Sequence, residues 1–258
     1  MPTDVCLVTG AGSGIGRATA IALARNGTGV AAVDLDHAQA SQTAAMIAEQ
    51  GGRSIALEAD ASSEEPMDEA IHQTMGHFGG LDGVVVNAGI NGTWAPIDDL
   101  HADEWDRTIR VNLRSTYITL NKTAPCLKAN GGGSIVIVSS INGTRTFTNP
   151  GATAYSATKA AQVAIAQQLA LELARFAIRI NVVCPGAIDT NISDRTEVRH
   201  PERVEVPVIW PQGSVAISSG EPGRPEDVAD LISFLLSDRA RHITGTPIFV
   251  DGGEGLLR

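Results

Sequence analysis

The sequence predicts an α/β protein with a doubly wound parallel sheet of about seven strands and helices on both faces. Short apolar runs rich in Val and Ile alternate along the chain with longer segments of helical pattern, as is typical of parallel sheets. No linker rich in Pro, Gly or Ser and no solenoid-like repeat interrupts this alternation. A chain of 258 residues can bury one large core. We therefore expect a single domain over residues 1–258.

The predicted strands are short, apolar and rich in β-branched residues, and they are 5–9, 30–33, 54–57, 83–86, 134–138, 178–183 and 248–253. The predicted helices carry a helical apolar pattern, and they are 17–24, about 37–50, about 64–77, about 103–128, 152 to about 175, and one that begins near 223. In doubly wound sheets the ligand crevice lies at the carboxyl ends of the strands. The residues that follow each strand are therefore the first candidates for a site.

A glycine-rich turn follows the first strand. From Thr9 to Gly16 the sequence fits T-G-x-x-x-G-x-G, and a helical pattern starts at Arg17. Glycines let the backbone approach a pyrophosphate closely, and the first turn of the following helix offers free N–H groups. The spacing does not fit G-x-G-x-x-G, because Ile15 and Arg17 stand where a third glycine would be needed. The pattern predicts a phosphate-binding turn; the alternative is an ordinary flexible loop.

Tyr155 and Lys159 lie four residues apart at the start of the helix predicted from residue 152. At that spacing two side chains share one helix face. A neighbouring ammonium favours the phenolate, so we expect Lys159 to lower the pKa of Tyr155 and make it a usable general acid or base. Taken alone, Y-x-x-x-K more often marks a buried Tyr and a surface Lys that merely begin a helix.

Together, the glycine turn and the Tyr155–Lys159 pair resemble the short-chain dehydrogenase/reductase family, and the resemblance runs from about residue 4 to 253. It implies a Rossmann-type fold and a nicotinamide cofactor. It also implies a set of cofactor contacts: Gly10, Ser13, Gly14, Ile15, Gly16, Asp34, Leu35, Asp60, Ala61, Asn87, Ala88, Gly89, Tyr155, Lys159, Pro185, Gly186, Ile188 and Thr190.

Asp34 ends the second strand and indicates which cofactor binds. A carboxylate there can accept hydrogen bonds from the adenosine ribose hydroxyls, whereas a 2′-phosphate would meet like charge. Neither Ser13 nor the residues after Asp34 supply a Lys or Arg to offset that charge. The sequence therefore predicts NAD rather than NADP. The alternative, that Asp34 caps the next helix, is weakened because Asp36 can serve as the cap.

The resemblance implies four catalytic residues: Asn112, Ser140, Tyr155 and Lys159. Asn112 is an unusual interior residue for the helix predicted over 103–128, and in the family this Asn distorts its helix and holds a water in a proton relay. Ser140 follows the fifth strand and would orient the reacting oxygen, with Ser139 as the alternative. Neither serine resembles a nucleophile, because no G-x-S-x-G elbow is present.

The stretch from about 190 to 222 resembles the variable substrate lid of the family, and we expect no helix or strand between about 191 and 220. Long irregular segments in compact domains are usually functional. The predicted substrate contacts are Trp94, Ser140, Asn142 and Trp210. For either Trp alone, core packing is the alternative.

Composition excludes several classes of partner. The chain carries 29 Asp and Glu against 19 Lys and Arg, with no basic block, so we expect neither nucleic acid nor membrane as a partner. No signal peptide or membrane-spanning run is visible. The three cysteines show no metal-binding or disulfide spacing, so we expect free thiols, no metal and a cytoplasmic protein.

These observations predict an NAD-dependent oxidoreductase that moves a hydride between NAD(H) and a small-molecule secondary alcohol or carbonyl, with sugars, polyols, steroids and hydroxy acids all open. The alternatives are an NADPH-dependent 3-oxoacyl thioester reductase and a noncatalytic nucleotide sensor of the same fold. The segment 154–175 is apolar or small on nearly all faces. A helix of that kind needs cover on both sides, so we expect a homotetramer, as the family usually forms.

Overall fold

Seven parallel strands form one twisted sheet in the computed structural model. The structure describes residues 4–192, 196–204 and 215–257. The order across the sheet is β3-β2-β1-β4-β6-β7-β9. The strands are β1 (Val5–Thr9), β2 (Gly29–Asp34), β3 (Ser54–Glu58), β4 (Gly83–Val86), β6 (Gly133–Val138), β7 (Ile178–Pro185) and β9 (Pro247–Val250), while β5 (Thr93–Trp94) and β8 (Glu197–Val198) pair separately. The predicted fold class is confirmed.

Seven α-helices lie within the described residues: α1 (Gly14–Arg25), α2 (His37–Glu49), α3 (Glu64–Phe78), α4 (Ala102–Ile109), α5 (Ser115–Ala129), α6 (Thr153–Ala174) and α7 (Pro225–Leu236). They cover the two faces of the sheet in two groups. Apolar residues of α3, α5 and α6 belong to one core cluster, and those of α1, α2 and α7 belong to the other. No described helix combines the length and apolarity that a bilayer span requires.

Strand β1 illustrates how the sequence specifies this arrangement. Val5 and Leu7 point into the core beside α3, whereas Cys6 and Val8 point into the core beside α1. Side chains alternate between the faces of a strand, so a central strand covered on both sides must be apolar throughout. All five residues of β1 are buried.

The predicted long helix over about 103–128 is interrupted. α4 passes into a π-helical segment, Arg110–Arg114, before α5 begins at Ser115. Asn112 lies in this segment and is fully buried. π-helical turns within α-helices occur often at functional sites. The helix distortion that the family resemblance implied at Asn112 is therefore present.

Within the predicted lid, the expectation of no strand between about 191 and 220 is wrong at β8. Trp94 pairs in parallel with Val198, and Thr93 pairs with Glu197. Sequence periodicity could not reveal this, because two residues are too few to show any period. Trp210 lies outside the described residues.

The strand order reverses at β1. The chain leaves β1 toward β2 and β3 on one side and places β4, β6 and β7 on the other. A crevice forms at the carboxyl edge where the crossovers diverge, which is the general location of ligands in such sheets.

Candidate active site

Two adjoining clefts lie at this carboxyl edge. The larger is lined by Gly10, Ser13, Gly14, Ile15, Asp34, Leu35, Asp60, Ala61, Asn87, Ala88, Gly89 and Thr190 among the predicted residues. The smaller is lined by Ile15, Asn87, Gly89, Ser140, Tyr155, Lys159, Pro185, Gly186, Ile188 and Thr190 among them. The shared residues make the two clefts one continuous groove. Of the predicted cofactor contacts, Gly16 alone does not line it.

Gly16 acts by packing. A Cβ atom at this position would lie 2.1 Å from the Gly10 carbonyl oxygen and 2.5 Å from Nδ2 of Asn87. Both distances are far below van der Waals contact, so only glycine lets α1 begin this close to β1. Gly10 and Gly14 have φ angles of 65° and 51°, in the left-handed region that favours glycine. The loop between them presents backbone to the groove.

Thr9 and Asn87 join the glycine turn to the end of β4. The Thr9 hydroxyl accepts hydrogen bonds from the N–H groups of Asn87 (3.0 Å) and Ala88 (3.2 Å). The Asn87 amide donates to the carbonyl oxygens of Thr9 (3.0 Å) and Gly10 (3.2 Å). These bonds fix the floor of the groove. They require a side-chain N–H donor at position 87, which explains why an amide stands there, whereas packing alone would not require one.

Asp34 faces the groove from the end of β2. Its Oδ2 atom accepts from the Gly12 N–H (2.8 Å) and its Oδ1 atom from the Asp36 N–H (3.0 Å). Asp36 caps α2 instead, with Oδ1 accepting from the N–H groups of Ala38 (2.9 Å) and Gln39 (3.3 Å). The capping alternative for Asp34 is therefore excluded, and each of its oxygens keeps a lone pair for a further donor.

The far wall of the larger cleft includes residues that sequence reasoning missed. Arg107, Arg110, Val111 and Ser115 line it, from α4, the π-helical segment and the first residue of α5. Asp60 also lines this cleft. Burial raises the pKa of its carboxyl, but hydrogen bonds from Ser62 and Ser63 lower that pKa by more, so the net shift is downward. No linear motif marks these positions, because only the crossing of α4 over the sheet edge brings them to the groove.

Tyr155 and Lys159 lie on successive turns of α6 and are both buried. The Lys159 ammonium lies 5.5 Å from the Tyr155 ring centroid and donates a hydrogen bond of 3.0 Å to the Val138 carbonyl. Burial lowers the pKa of Lys159 to about 8. A lysine whose pKa lies this close to neutrality can give up its proton and take part in proton transfer.

The expectation that Lys159 lowers the pKa of Tyr155 is wrong for the protein chain by itself. Burial raises the Tyr155 pKa above its ordinary value, and a hydrogen bond from Ser140 offsets this only in part. The physical reason is desolvation, which disfavours the charged phenolate when water is excluded. The neutral phenol is therefore the stable form of this group in the protein alone.

The choice between Ser139 and Ser140 is decided by their partners. The Ser139 hydroxyl is buried and donates to the Lys159 carbonyl (2.8 Å), which ties β6 to α6. The Ser140 hydroxyl contacts Tyr155 and accepts from the N–H of Asn142 (3.1 Å). With that acceptor position filled, the Ser140 hydroxyl directs its proton toward the Tyr155 oxygen at the end of the groove. The geometry therefore favours Ser140 as the group that meets the reacting oxygen.

Asn112 holds the chain that follows β4. Its Oδ1 accepts from the Ile90 N–H and its Nδ2 donates to the Ile90 carbonyl, both at 2.8 Å, and Nδ2 also donates to Thr158 (3.1 Å). Its main-chain carbonyl accepts from Gln162 (3.2 Å) and Thr116 (2.8 Å). The side chain thus fixes Ile90 beside Lys159, and the proton relay that the resemblance implied remains a prediction.

Trp94 lies beside Tyr155. The two ring centroids are 6.5 Å apart at an interplanar angle of 45°. Asn142 is buried behind Ser140, and its Oδ1 accepts from Asn149 (2.9 Å). Asn142 is therefore placed to support Ser140, and the substrate contact at Trp94 remains a prediction.

The segment after β7 completes the smaller cleft. The Ala187 N–H donates to Oε2 of Glu254 at 2.7 Å, and Gly186 packs against Asp251, so the C-terminal segment supports Pro185 and Gly186. Sequence reasoning did not find Glu254, which lies far along the chain in no recognisable motif. The three cysteines are free thiols, as predicted; burial raises the pKa of Cys184, beside Lys159, to about 11. Within the described ranges, no group of three metal-ligating side chains is present.

A dinucleotide-sized groove over a glycine turn, with a buried Tyr, Lys and Ser at one end, defines an oxidoreductase of the Rossmann type. Comparison with known proteins supports this class. The family profile described as enoyl-(acyl carrier protein) reductase matches residues 10–254. The chain is 38% identical to (3R)-3-hydroxyacyl-CoA dehydrogenase of Rattus norvegicus, over 96% of this chain and 95% of that protein.

Two solved structures are similar throughout. A 3-ketoacyl-ACP reductase from Sinorhizobium meliloti 1021 is 62% identical, with a TM-score of 0.96, over 98% of this chain and 100% of that one. A 3-ketoacyl-(acyl-carrier-protein) reductase from Brucella melitensis, complexed with NADH, is 32% identical, with a TM-score of 0.86, over 98% of each chain. The chain belongs to the short-chain dehydrogenase/reductase family and is a dehydrogenase/reductase acting on CH–OH groups.

Proposed function

We propose that this protein transfers a hydride between NAD(H) and a secondary alcohol or its carbonyl. The observation that carries the choice of cofactor is Asp34, whose carboxylate faces the groove with both oxygens able to accept from ribose hydroxyls. Ser13 and Leu35 line the groove beside it, and neither carries a positive charge. The NADH-bound Brucella relative is consistent with this cofactor.

Tyr155 is the general acid and base. In oxidation it takes the proton of the substrate hydroxyl while the hydride leaves the same carbon, and in reduction it returns a proton to the carbonyl oxygen. Ser140 donates a hydrogen bond to that oxygen. A bound nicotinamide supplies the hydride acceptor or donor.

Lys159 has two roles in this proposal. It binds the nicotinamide ribose, and it exchanges protons with Tyr155 because its own pKa of about 8 is close to the working pH. Burial raises the pKa of Tyr155, so the phenolate forms only when further positive charge reaches the site. An oxidised nicotinamide carries such a charge. Asn112 holds Ile90 beside this pair and supports the proton relay.

The substrate binds at the Tyr155 hydroxyl, next to the Trp94 indole, which offers a flat apolar wall. Such a wall favours substrates with a ring or an apolar chain next to the carbinol carbon, over fully hydroxylated sugars. A second candidate is a 3-oxoacyl thioester substrate. It is favoured by the 62% identity to the Sinorhizobium 3-ketoacyl-ACP reductase, although Asp34 argues against NADPH as its reductant. A noncatalytic nucleotide sensor would not need Ser140, Tyr155 and Lys159 together.

The experiment is a panel of substrates assayed in both directions, with NAD(H) and NADP(H), by absorbance of the reduced nicotinamide. It includes cyclic secondary alcohols, hydroxysteroids, polyols and (3R)-3-hydroxyacyl thioesters. We expect turnover with NAD⁺ on a compound with an apolar ring or chain. Tyr155→Phe is the matched control: it keeps the ring and loses the proton, so turnover should fall at least about 10²-fold while NADH binding survives. Near-normal turnover in this variant would contradict the assignment of Tyr155.

We also propose that the chain is a single domain that works as a cytoplasmic homotetramer. Ala157, Ala164 and Leu171 recur every seven residues and form an exposed stripe along α6, on which Leu171 is 84% exposed. Tyr117 is exposed on neighbouring α5. Exposed apolar stripes of this kind mark contacts between protomers.

A further inference from the structure

The wall formed by Trp94 rests on very little secondary structure. β5 and β8 contribute two residues each, with Trp94 opposite Val198. Even a longer isolated pair of strands is marginally stable in water. A further interaction must therefore hold the lid strand β8 against Trp94.

Arg199 provides that interaction, because it follows β8 directly and contacts both sides of the pairing. Its backbone N–H donates to the Trp94 carbonyl at 2.9 Å. Its guanidinium donates from Nε to Oδ2 of Asp99 (2.9 Å), and from Nη1 and Nη2 to the two oxygens of Glu104 (2.8 and 2.9 Å). Nη2 also contacts the Asp99 carbonyl oxygen. This is the planar, two-pronged geometry that only Arg supplies.

The acidic partners are themselves fixed. Glu104 lies in the first turn of α4, where its Oε2 also accepts from the His101 N–H at 2.9 Å. The Arg199 hydrogen bond lowers the pKa of Glu104 to about 2, so the carboxylate is charged at any working pH. α4 packs against α6, which carries Tyr155. The hydrogen bonds of Arg199 to Asp99 and Glu104 form a clamp. This clamp therefore holds the lid strand β8 against α4, which packs on the helix that carries the catalytic tyrosine.

Its burial distinguishes this cluster from ordinary surface pairs. The Arg199 side chain is 23% exposed, and those of Asp99 and Glu104 are 27% and 16% exposed. Arg203, five residues along the same lid from Val198, pairs with Asp98, and those side chains are 45% and 68% exposed. Exposed single ion pairs such as Arg203–Asp98 contribute little to stability.

Trp94 connects the clamp to the chemistry. Its indole Nε1 donates to the Asn91 carbonyl (3.2 Å), and the Asn91 amide in turn donates to Thr196 of the lid (2.8 Å). The next residue, Ala95, donates its N–H to Gly151 (3.3 Å), just before α6. Movement of β8 away from β5 would remove two of these restraints, the bond from the Arg199 N–H to the Trp94 carbonyl and the bond between Asn91 and Thr196, and would therefore loosen the indole beside Tyr155.

We propose that Arg199 is a positioning residue for substrate: by clamping β8 to Asp99 and Glu104 it fixes the Trp94 indole beside Tyr155. The proposal rests on the proposed binding of substrate at the Tyr155 hydroxyl next to Trp94. Arg199 lines neither cleft, so it acts through Trp94.

The test uses fluorescence, so it does not depend on turnover. The chain has three tryptophans, and in a Trp105→Phe, Trp210→Phe background Trp94 is the sole emitter. Arg199→Gln in this background should raise the acrylamide quenching constant of Trp94 at least about twofold. Arg199→Lys should lie between, since an ammonium cannot bond both carboxylates in one plane. The matched control Arg203→Gln should leave the constant unchanged. NADH binding, followed by nicotinamide fluorescence, should stay within about twofold in all variants.

An unchanged quenching constant in Arg199→Gln overturns the proposal, as does an equal rise in Arg203→Gln. If Arg199→Gln does not fold, Asp99→Asn and Glu104→Gln remove one partner each, and quenching unchanged in both of these also overturns it. With a substrate from the panel, Arg199→Gln should raise KM about tenfold with kcat within about threefold. Absence of turnover in the wild type would contradict the proposed function and leave the fluorescence result to decide on Arg199.

Discussion

The buried ammonium of Lys159 makes a prediction about stability against pH that needs no substrate. Its side chain is almost inaccessible to water, and burial lowers its pKa from the ordinary 10.5 to about 8. Between these two values the unfolded chain binds more protons than the folded one. Folding therefore becomes more favourable as pH rises through that window, and the cost of burying the charge is fully present below about pH 8.

The perturbation is Lys159→Met, which keeps much of the side-chain volume and removes the titrating group. The magnitude follows from the two pKa values. Between pH 7 and pH 10 the free energy of unfolding of the wild type should rise, relative to the variant, by about 2–3 kcal/mol. Tyr155 and the cysteines also titrate at high pH, but they are present in both proteins and largely cancel in the difference.

The measurement is urea unfolding of both proteins without cofactor, at one protein concentration, at half-unit steps from pH 7 to pH 10. Lys122→Met is the matched control. Hydrogen bonding to Asp68 raises the pKa of Lys122, and Glu64 adds to this, so its contribution is present up to about pH 10 and its difference curve should be flat. A Lys159 curve as flat as that of Lys122 would refute the reasoning, because it would mean that the Lys159 ammonium is well solvated in the folded protein.

The remaining predictions concern the cofactor, the glycine turn and assembly. Wild type should prefer NAD to NADP, because the 2′-phosphate of NADP and the Asp34 carboxylate, about 4 Å apart, would repel by about 4 kcal/mol at a dielectric of 20, and a net 1.4 kcal/mol already gives a tenfold preference. The double variant Asp34→Ala with Ser13→Arg should shrink or reverse that preference in kcat/KM. Equal use of both cofactors by the wild type would contradict this prediction. Gly16→Ala places a Cβ 2.1 Å from the Gly10 carbonyl oxygen, so it should abolish NADH binding in a fluorescence titration and lower stability by about 1–3 kcal/mol, whereas Gly76→Ala, in α3 with open space around it, should be neutral or slightly stabilising. Light scattering at micromolar concentration should give the mass of a tetramer, and a monomeric mass would contradict the role proposed for the α6 stripe.

Much of the fold could be predicted from the sequence because its signals are local. The alternation of apolar strands with helical segments fixes a parallel sheet, since each strand buried on both faces must be apolar throughout. The glycine turn was recognisable because close backbone approach admits only glycine, as the 2.1 Å distance at Gly16 demonstrates. Asp36 could be assigned as the cap of α2 for a similarly local reason: its side chain bonds N–H groups two and three residues away. The i, i+4 spacing of Tyr155 and Lys159 likewise sufficed to place them on one face of α6.

Other features depended on residues far apart in the chain, and only the tertiary structure decided them. Ser139 and Ser140 are indistinguishable in sequence, and their partners on α6 and in the following loop separate them. The pKa of Tyr155 was misjudged because desolvation depends on everything packed around the phenol, whereas the sequence displays only the nearby lysine. Arg199 lies 95 residues or more from its carboxylate partners Asp99 and Glu104. A clamp of that kind leaves no periodic or spaced signal along the chain, because the three charges meet only in the tertiary structure.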